Sequence, residues 1–368
     1  MSVLDGLDAP TWALLDRFGF DRVRFEELRA AVADRRLSTA GNVVRGRVEP
    51  PRPGDVVPLP ADGSDAAAEA RAAGLAALRE GTVAHVVMAG GMATRFGGVV
   101  KAVVEVVPGR SFLDLALSFT AATEASLQAR VPTAVMTSFA TDEVVRAHLA
   151  GLAGPKPRVF HQFVSLRLEP DGGLFRDAAG RPSPYGPGHG DLLEALRGSG
   201  TLAALRAEGV EHVLVANVDN LGARVDPLVV GMHVLGGRPM TVEVARKQGD
   251  TGGAPARVEG RLRLVEGPCF PPGFDQATIT VFNTNTSLIA VEALERPVEL
   301  TWLVAEKEVD GRRAIQLERL YHELAAHVPT RYLEVPRSGP RGRFLPVKEP
   351  GDLEGIRADV VAALAAGA

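Results

Sequence analysis

From residue 82 onward, short apolar runs alternate with helix-length amphipathic segments, and no other feature restricts the possible architectures as strongly. TVAHVVMA reads as a short apolar strand buried on both faces, and TAVMTS (133–138), RVFHQF and EHVLVAN (211–217) read as further strands. Between them lie FLDLALSFTAATEASL (112–127), TDEVVRAHLA and DLLEALRGSGTLAALRAEG, which read as helices, the second with Thr141 as candidate N-cap and Asp142 and Glu143 in its first turn. Strands that alternate with helices imply an α/β fold with a doubly wound, mostly parallel (mixed) sheet. MTVEVARK, ARVEGRLRLVE and ATITVFNTN read as later strands, with a hairpin turning near Glu259 and Gly260, and a last helix covers about 350–366.

Ahead of this core the pattern differs. Residues 11–36 read as helical, residues 46–63 hold five prolines and read as a surface strap, and AAAEARAAGLAALREG is an alanine-rich helix ending near Gly81. The expected division is therefore an N-terminal helical attachment with a Pro-rich strap at 1–80 and a catalytic domain at 81–368. A net charge of −4 excludes a protein that wraps duplex nucleic acid, which needs a strongly basic surface. The single cysteine, Cys269, excludes a disulfide framework and a cysteine-based zinc cluster. No run reaches the ~18 apolar residues of a membrane span. MSVLDGLDAP lacks a basic-then-apolar leader pattern, so the expected setting is cytoplasmic, with no membrane partner.

Ligands of open parallel sheets bind beyond the carboxyl ends of the strands, and the unusual polar residues collect there. The first core strand runs into AGGMATRFGGVVK, residues 89–101, where Gly90, Gly91, Gly97 and Gly98 surround Arg95 and the stretch ends on Lys101. It fits neither the Walker nor the dinucleotide glycine spacing. VFHQF carries Gln162; EHVLVAN leads into Asn217, Asp219 and Asn220; MTVEVARK ends at Lys247; TVFNTN ends on Asn283 and Asn285. PYGPGHGDLLEAL is a glycine turn opening a helix, with His189 and Asp191 at its start, and its backbone N–H groups can hold an anion or a base edge. Each residue alone has a plainer role: Arg95, Lys101 and Lys348 as surface charges, His189 and Asp219 as caps of their turns, the two asparagines as partners of nearby backbone. Their ordered recurrence at strand ends points to one site.

That ordered set resembles the UDP-sugar pyrophosphorylase family, in particular the eukaryotic-type UTP–glucose-1-phosphate uridylyltransferases, over about residues 82–355. AGGMATRFGGVVK is similar to the family's GG-x-GT-x-x-G…PK loop, and MTSFATDEVV and FHQ to its next two segments. PYGPGHGDLLEALRGSGTLAALRAEGVEHVLVANVDNLGARVDP, ARKQGDTGG, LRLVEG, FNTN and FLPVKEPGDL follow in family order. The chain departs from the pattern at Ala93, where the loop's third glycine is expected, and at Val100 and Leu166, where prolines are expected.

The resemblance implies a nucleotidyltransferase (GT-A-like, Rossmann-like) fold, without the C-terminal β-helix domain of the eukaryotic enzymes, and transfer of a uridylyl group from UTP to a sugar 1-phosphate with Mg2+ as cofactor. It assigns catalytic roles to Lys101, Arg95 and Lys348, with Lys348 bridging the phosphates being exchanged. Ala89, Gly90, Gly91, Gln162, Gly188 and Asp219 are implied on the nucleotide, with Gln162 and the Gly188 backbone reading uracil and Asp219 holding magnesium or nucleotide. His189, Asn217, Lys247, Glu266, Asn283 and Asn285 are implied on the sugar-phosphate side. GHGD favours glucose 1-phosphate, since the N-acetylhexosamine branch carries GNGG there. The motifs also admit another sugar or cyclitol 1-phosphate, another NTP, or a nucleotide-sugar-binding protein without turnover; they do not fix the oligomeric state.

Overall fold

The computed structural model describes residues 2–93, 97–339, 341–347 and 351–365. Its centre is an eight-stranded sheet. In chain order the strands are β1 (Val56–Pro58), β2 (Val83–Met88), β3 (Thr133–Thr137), β4 (Arg158–His161), β5 (His212–Asn217), β6 (Met240–Arg246), β7 (Val281–Ala290) and β8 (Thr330–Glu334). Their spatial order is β1-β8-β6-β7-β5-β2-β3-β4, and only β7 runs antiparallel to its neighbours within this sheet. The mixed, mostly parallel sheet expected from the alternation is present.

The two-residue period of a strand sorts the sheet's side chains onto two faces. Ala84, Val86, Met88, Val213 and Val215 pack in one cluster with Leu192 and Leu196 of α6 (Leu192–Gly198) and Leu202 and Leu205 of α7 (Thr201–Ala207). Val87 and Val135 pack on the other face with Phe112, Leu115 and Phe119 of α4 (Phe112–Leu127) and Val145 and Leu149 of α5 (Asp142–Gly151). Because β2 is buried along its whole length, its sequence is apolar except for His85, whose Nδ1 meets the Thr120 hydroxyl at 2.9 Å.

The N-terminal helical stretch is two helices, α1 (Ala9–Arg17) and α2 (Arg22–Ala33), rather than one. Gly19 adopts φ +66° between them, and the Asp21 carboxylate caps α2 by accepting from Arg24 N–H at 2.9 Å. Gly200, at φ +76°, likewise separates α6 from α7 within a stretch that reads as continuous. The Pro-rich strap supplies the edge strand β1, paired in parallel with β8. The hairpin at Glu259 and Gly260 forms as expected, both residues taking positive φ between strands Ala254–Val258 and Arg261–Val265. A second hairpin, Leu303–Val309 with Arg312–Glu318, and β8 itself are elements the sequence reading lacks.

Helices α3 (Asp65–Arg79) and α8 (Pro227–Gly236) cross on paired glycines. A Cβ on Gly74 would lie 1.8 Å from the Pro227 carbonyl oxygen, and one on Gly231 would lie 1.6 Å from that of Ala70. Gly231→Ala must therefore push the helices apart, and a cost of ~3 kcal/mol or more is expected, the upper end for overpacking. A urea midpoint shift equivalent to less than about 1 kcal/mol would contradict this close packing.

Candidate active site

The chain leaves β2 toward one side of the sheet, into β3 and β4, and leaves β5 toward the other, into β6. The crevice between the adjacent carboxyl ends of β2 and β5 is therefore a topological switch point, where open α/β sheets bind ligands. Asn217 stands beside Met88 in the parallel register there.

The loop after β2 is held from both sides. Ala89 N–H donates to Met136 O at 2.8 Å, the Ser138 hydroxyl donates to Gly90 O at 2.8 Å, and Lys101 N–H donates to Gly91 O at 3.3 Å. Met92–Ala93 pairs antiparallel with Val99–Val100, with Gly97 and Gly98 at φ +82° and +80°. Val100, where a proline is expected, stands opposite Met92 in this pairing. The pairing delivers Lys101 to the switch point, where its ammonium pairs with the Asp219 carboxylate that follows β5. Both side chains keep about a fifth of their surface accessible, 19% and 20%. Arg95 and Lys348 lie outside the described residues.

Gln162 follows β4, its N–H donating to Thr137 O at 2.9 Å. Its amide group lies between two glycines: a Cβ on Gly90 would come within 3.3 Å of Oε1, and one on Gly186 within 2.0 Å of Nε2. The Gly188 turn crowds Arg319, whose carbonyl oxygen would be 2.7 Å from a Cβ at the Gly188 position, at φ +93°. Glycine is required at 186 and 188, so the turn leading into GHGD and the loop after β2 meet at Gln162.

His189 accepts the Tyr321 N–H at its Nδ1, at 3.3 Å, which leaves the proton on Nε2. The ring packs against Tyr321 and His322, with centroids 5.2 and 5.3 Å away, and desolvation there holds its pKa down to about 4. At neutral pH it is an uncharged donor. Asn283 Nδ2 donates to Asn285 Oδ1 at 3.0 Å, and Asn285 N–H donates to Asn283 Oδ1 at 3.0 Å. Asn285 adopts φ +61° inside β7, a left-handed conformation rarely found mid-strand and concentrated at functional sites. Asn283 N–H donates to Gly253 O at 2.7 Å, and a Cβ on Gly253 would meet Glu266 Oε1 at 2.8 Å, so Glu266 adjoins the asparagines. Lys247 stands apart from the Lys101–Asp219 pair: its ammonium donates to Gln276 O at 2.9 Å and lines an open cavity of about 880 Å³ with Asp250 and Gly267.

Two supporting residues were noted in the sequence without a role. Asp191 is fully buried; its Oδ2 accepts the Phe163 N–H at 3.0 Å, one residue after Gln162, and its Oδ1 accepts from Arg319 Nη2 at 2.6 Å. Arg319 in turn accepts Gly190 N–H at its carbonyl, 2.8 Å, and pairs with Glu194, which also holds Arg24 of α2 at 3.1 Å. Burial pushes the Asp191 carboxyl up to about 6, opposed by Arg319 and the Phe163 N–H. One carboxylate thus spaces Gln162 from the Gly188 turn. Asp191→Asn is expected to raise about tenfold the KM for the ligand that meets Gln162, with a smaller effect on kcat; an unchanged KM would show that the carboxylate does not set this spacing.

Asn220 fastens the segment before residue 348. Its Oδ1 accepts Leu345 N–H at 2.9 Å and its Nδ2 donates to Arg343 O at 3.1 Å. Val347 is fully buried with Val100, Ala102, Val218 and Leu221, beneath Lys101 and Asp219.

Fold and switch-point chemistry together define an α/β protein of the UDP-sugar pyrophosphorylase architecture. UDP-N-acetylglucosamine pyrophosphorylase from Trypanosoma brucei superposes with a TM-score of 0.77 at 19% identity, covering 99% of this chain and 86% of that one. A variant of UDP-glucose pyrophosphorylase from Leishmania major, in complex with UDP-glucose, superposes with a TM-score of 0.73 at 23% identity, covering 96% and 80%. The chain belongs to the UTP–glucose-1-phosphate uridylyltransferase family, whose model matches residues 25–365. The uridylyltransferase of Solanum tuberosum is 33% identical over 291 residues, 74% of this chain and 60% of that protein. That of Saccharomyces cerevisiae is 32% identical over 291 residues, 74% and 58%. The chain thus spans about 60% of the length of these curated relatives.

Proposed function

We propose that the protein makes UDP-glucose and pyrophosphate from UTP and glucose 1-phosphate. The observation that carries this reading is the meeting of Lys101 and Asp219 at the switch point, beside the glycine-framed Gln162. A phosphate oxygen of glucose 1-phosphate attacks the α-phosphorus of UTP in line; the new P–O bond forms as the bond to the departing pyrophosphate breaks. No protein nucleophile is needed, so the residues act by positioning and by neutralising phosphate charge. Lys101 serves the triphosphate, joined in this reading by Arg95 and Lys348. The amide of Gln162 and the Gly188 backbone meet the uracil edge. His189, uncharged, donates from Nε2 to the sugar phosphate, and Asn217, Glu266, Asn283 and Asn285 face the sugar; Lys247 is included on resemblance alone.

No group of three or more His, Cys, Asp or Glu side chains that could hold a metal occurs among the described residues. A lone carboxylate, Asp219, still fits magnesium that arrives with a triphosphate, since such an ion takes most of its ligands from phosphate and water. Bound there, magnesium supplies neutralisation of phosphate charge. Among the described residues no helix is long and apolar enough to cross a membrane; the cytoplasmic setting rests on the sequence reading.

The test is pyrophosphate release over a panel of nucleoside triphosphates and sugar 1-phosphates. UTP with glucose 1-phosphate should give the highest kcat/KM. Absence of turnover with that pair would overturn the assignment.

A further inference from the structure

His322 is only 1% exposed, yet neither of its ring nitrogens has a hydrogen-bond partner among the described residues. Such atoms are rare in folded proteins, because each gives up a bond it would make to water. The ring lines a cavity of about 320 Å³, walled also by Asn42, Arg263, Glu266, Cys269 and Thr301. Glu266 lines the same cavity, and burial pushes its carboxyl pKa up. Arg263 Nε is buried without a partner as well. Two side chains with buried, unpartnered nitrogens, His322 and Arg263, and the Glu266 carboxyl therefore face one cavity.

Their chemistry restricts the occupant. Desolvation keeps the His322 imidazole uncharged, so it offers one N–H donor and one lone pair. Glu266 adds an acceptor and Arg263 an N–H donor, so the lining calls for a ligand that both donates and accepts. Hydroxyl groups both donate and accept, and a polyol satisfies such a set. Of the sugar-side residues, Glu266 stands in the cavity's wall. The His322 ring lies 5.3 Å from that of His189, and Glu266 abuts Gly253, whose carbonyl accepts the Asn283 N–H.

We propose that His322, together with Glu266, grips hydroxyl groups of the sugar in the acceptor 1-phosphate, so that His322 determines sugar specificity. This rests on the functional reading above. His322 meets the hydroxyls directly, while Tyr321, whose ring lies 3.8 Å from it, carries the backbone N–H that orients His189.

The experiment compares wild type, His322→Ala and His322→Gln with glucose 1-phosphate and its 2-, 3-, 4- and 6-deoxy analogues, at saturating UTP. His322→Ala should raise KM for glucose 1-phosphate about tenfold, the worth of one good hydrogen bond, and leave KM for UTP within about twofold. At least one deoxy analogue, already poor with wild type, should be indifferent to His322→Ala, and His322→Gln should recover part of the loss. Equal losses across all analogues, or none, would overturn the proposal. If His322→Ala does not fold, Glu266→Gln carries the same comparison: selective loss with one analogue spared supports the site, and uniform loss overturns it. A wild type that releases no pyrophosphate with any sugar 1-phosphate fails the functional reading itself, and this inference with it; that result is visible before any variant is made.

Discussion

Lys101→Met is expected to lower kcat/KM by about 10²-fold or more while the protein stays folded, since removing one preorganised donor from a charge-developing site costs on that scale. The stability effect should be small. The Lys101–Asp219 pair is one-fifth accessible at both ends, and ion pairs in contact with solvent contribute roughly 0–1 kcal/mol. Loss of activity with little loss of stability would separate a working cation from a structural one. Asp219→Asn should also lower activity, and the double variant should lose far less than the sum of the two, because in the proposed reaction both groups act on the same triphosphate. Normal turnover by Lys101→Met would remove the lysine from the proposed mechanism.

Arg343→Met should have the opposite signature. Arg343 reaches Glu243 of β6 with two hydrogen bonds, Nε to Oε2 at 2.6 Å and Nη2 to Oε1 at 2.7 Å, and its Nη2 also donates to Arg224 O at 2.9 Å. The two side chains are only 4% and 1% exposed. Deleting the arginine strands a buried carboxylate, which typically costs about 3–5 kcal/mol. Urea unfolding should show a loss of that size, and the double variant Arg343→Met/Glu243→Gln should recover a good part of it. A loss below about 1 kcal/mol would mean that the carboxylate finds water or another donor. Because Asn220 ties the same segment to the turn after Asp219, this pair also anchors the chain leading to residue 348.

Much of the sheet was legible because a strand buried on both faces announces itself locally. The runs at 82–89, 133–138 and 211–217 match β2, β3 and β5 to within one residue at each end. The hairpin Leu303–Val309 with Arg312–Glu318 was not, since LVAEKEV and RRAIQLE mix charge into an incompletely buried ribbon. The short edge strand β1 was hidden by prolines, tolerated because it has a sheet neighbour on one side only. Gln162, Gly188 and the loop glycines were found as motif members, but why glycine is needed at 186 and 188 depends on Gln162 and Arg319, respectively 24 and 131 positions from them.

The sequence by itself determined the family, the alternating α/β order and the set of polar residues at strand ends, because periodicity and motif spacing are local properties of the chain. Tertiary structure alone decided the pairings: Lys101 with Asp219 across the switch point, Asp191 with Phe163 N–H and Arg319, Arg343 with Glu243, and His322 with a cavity shared by Glu266. Each joins residues far apart in the chain, and whether a charge is paired, or a ring nitrogen left without a partner, depends on what folding brings beside it and on the water folding excludes.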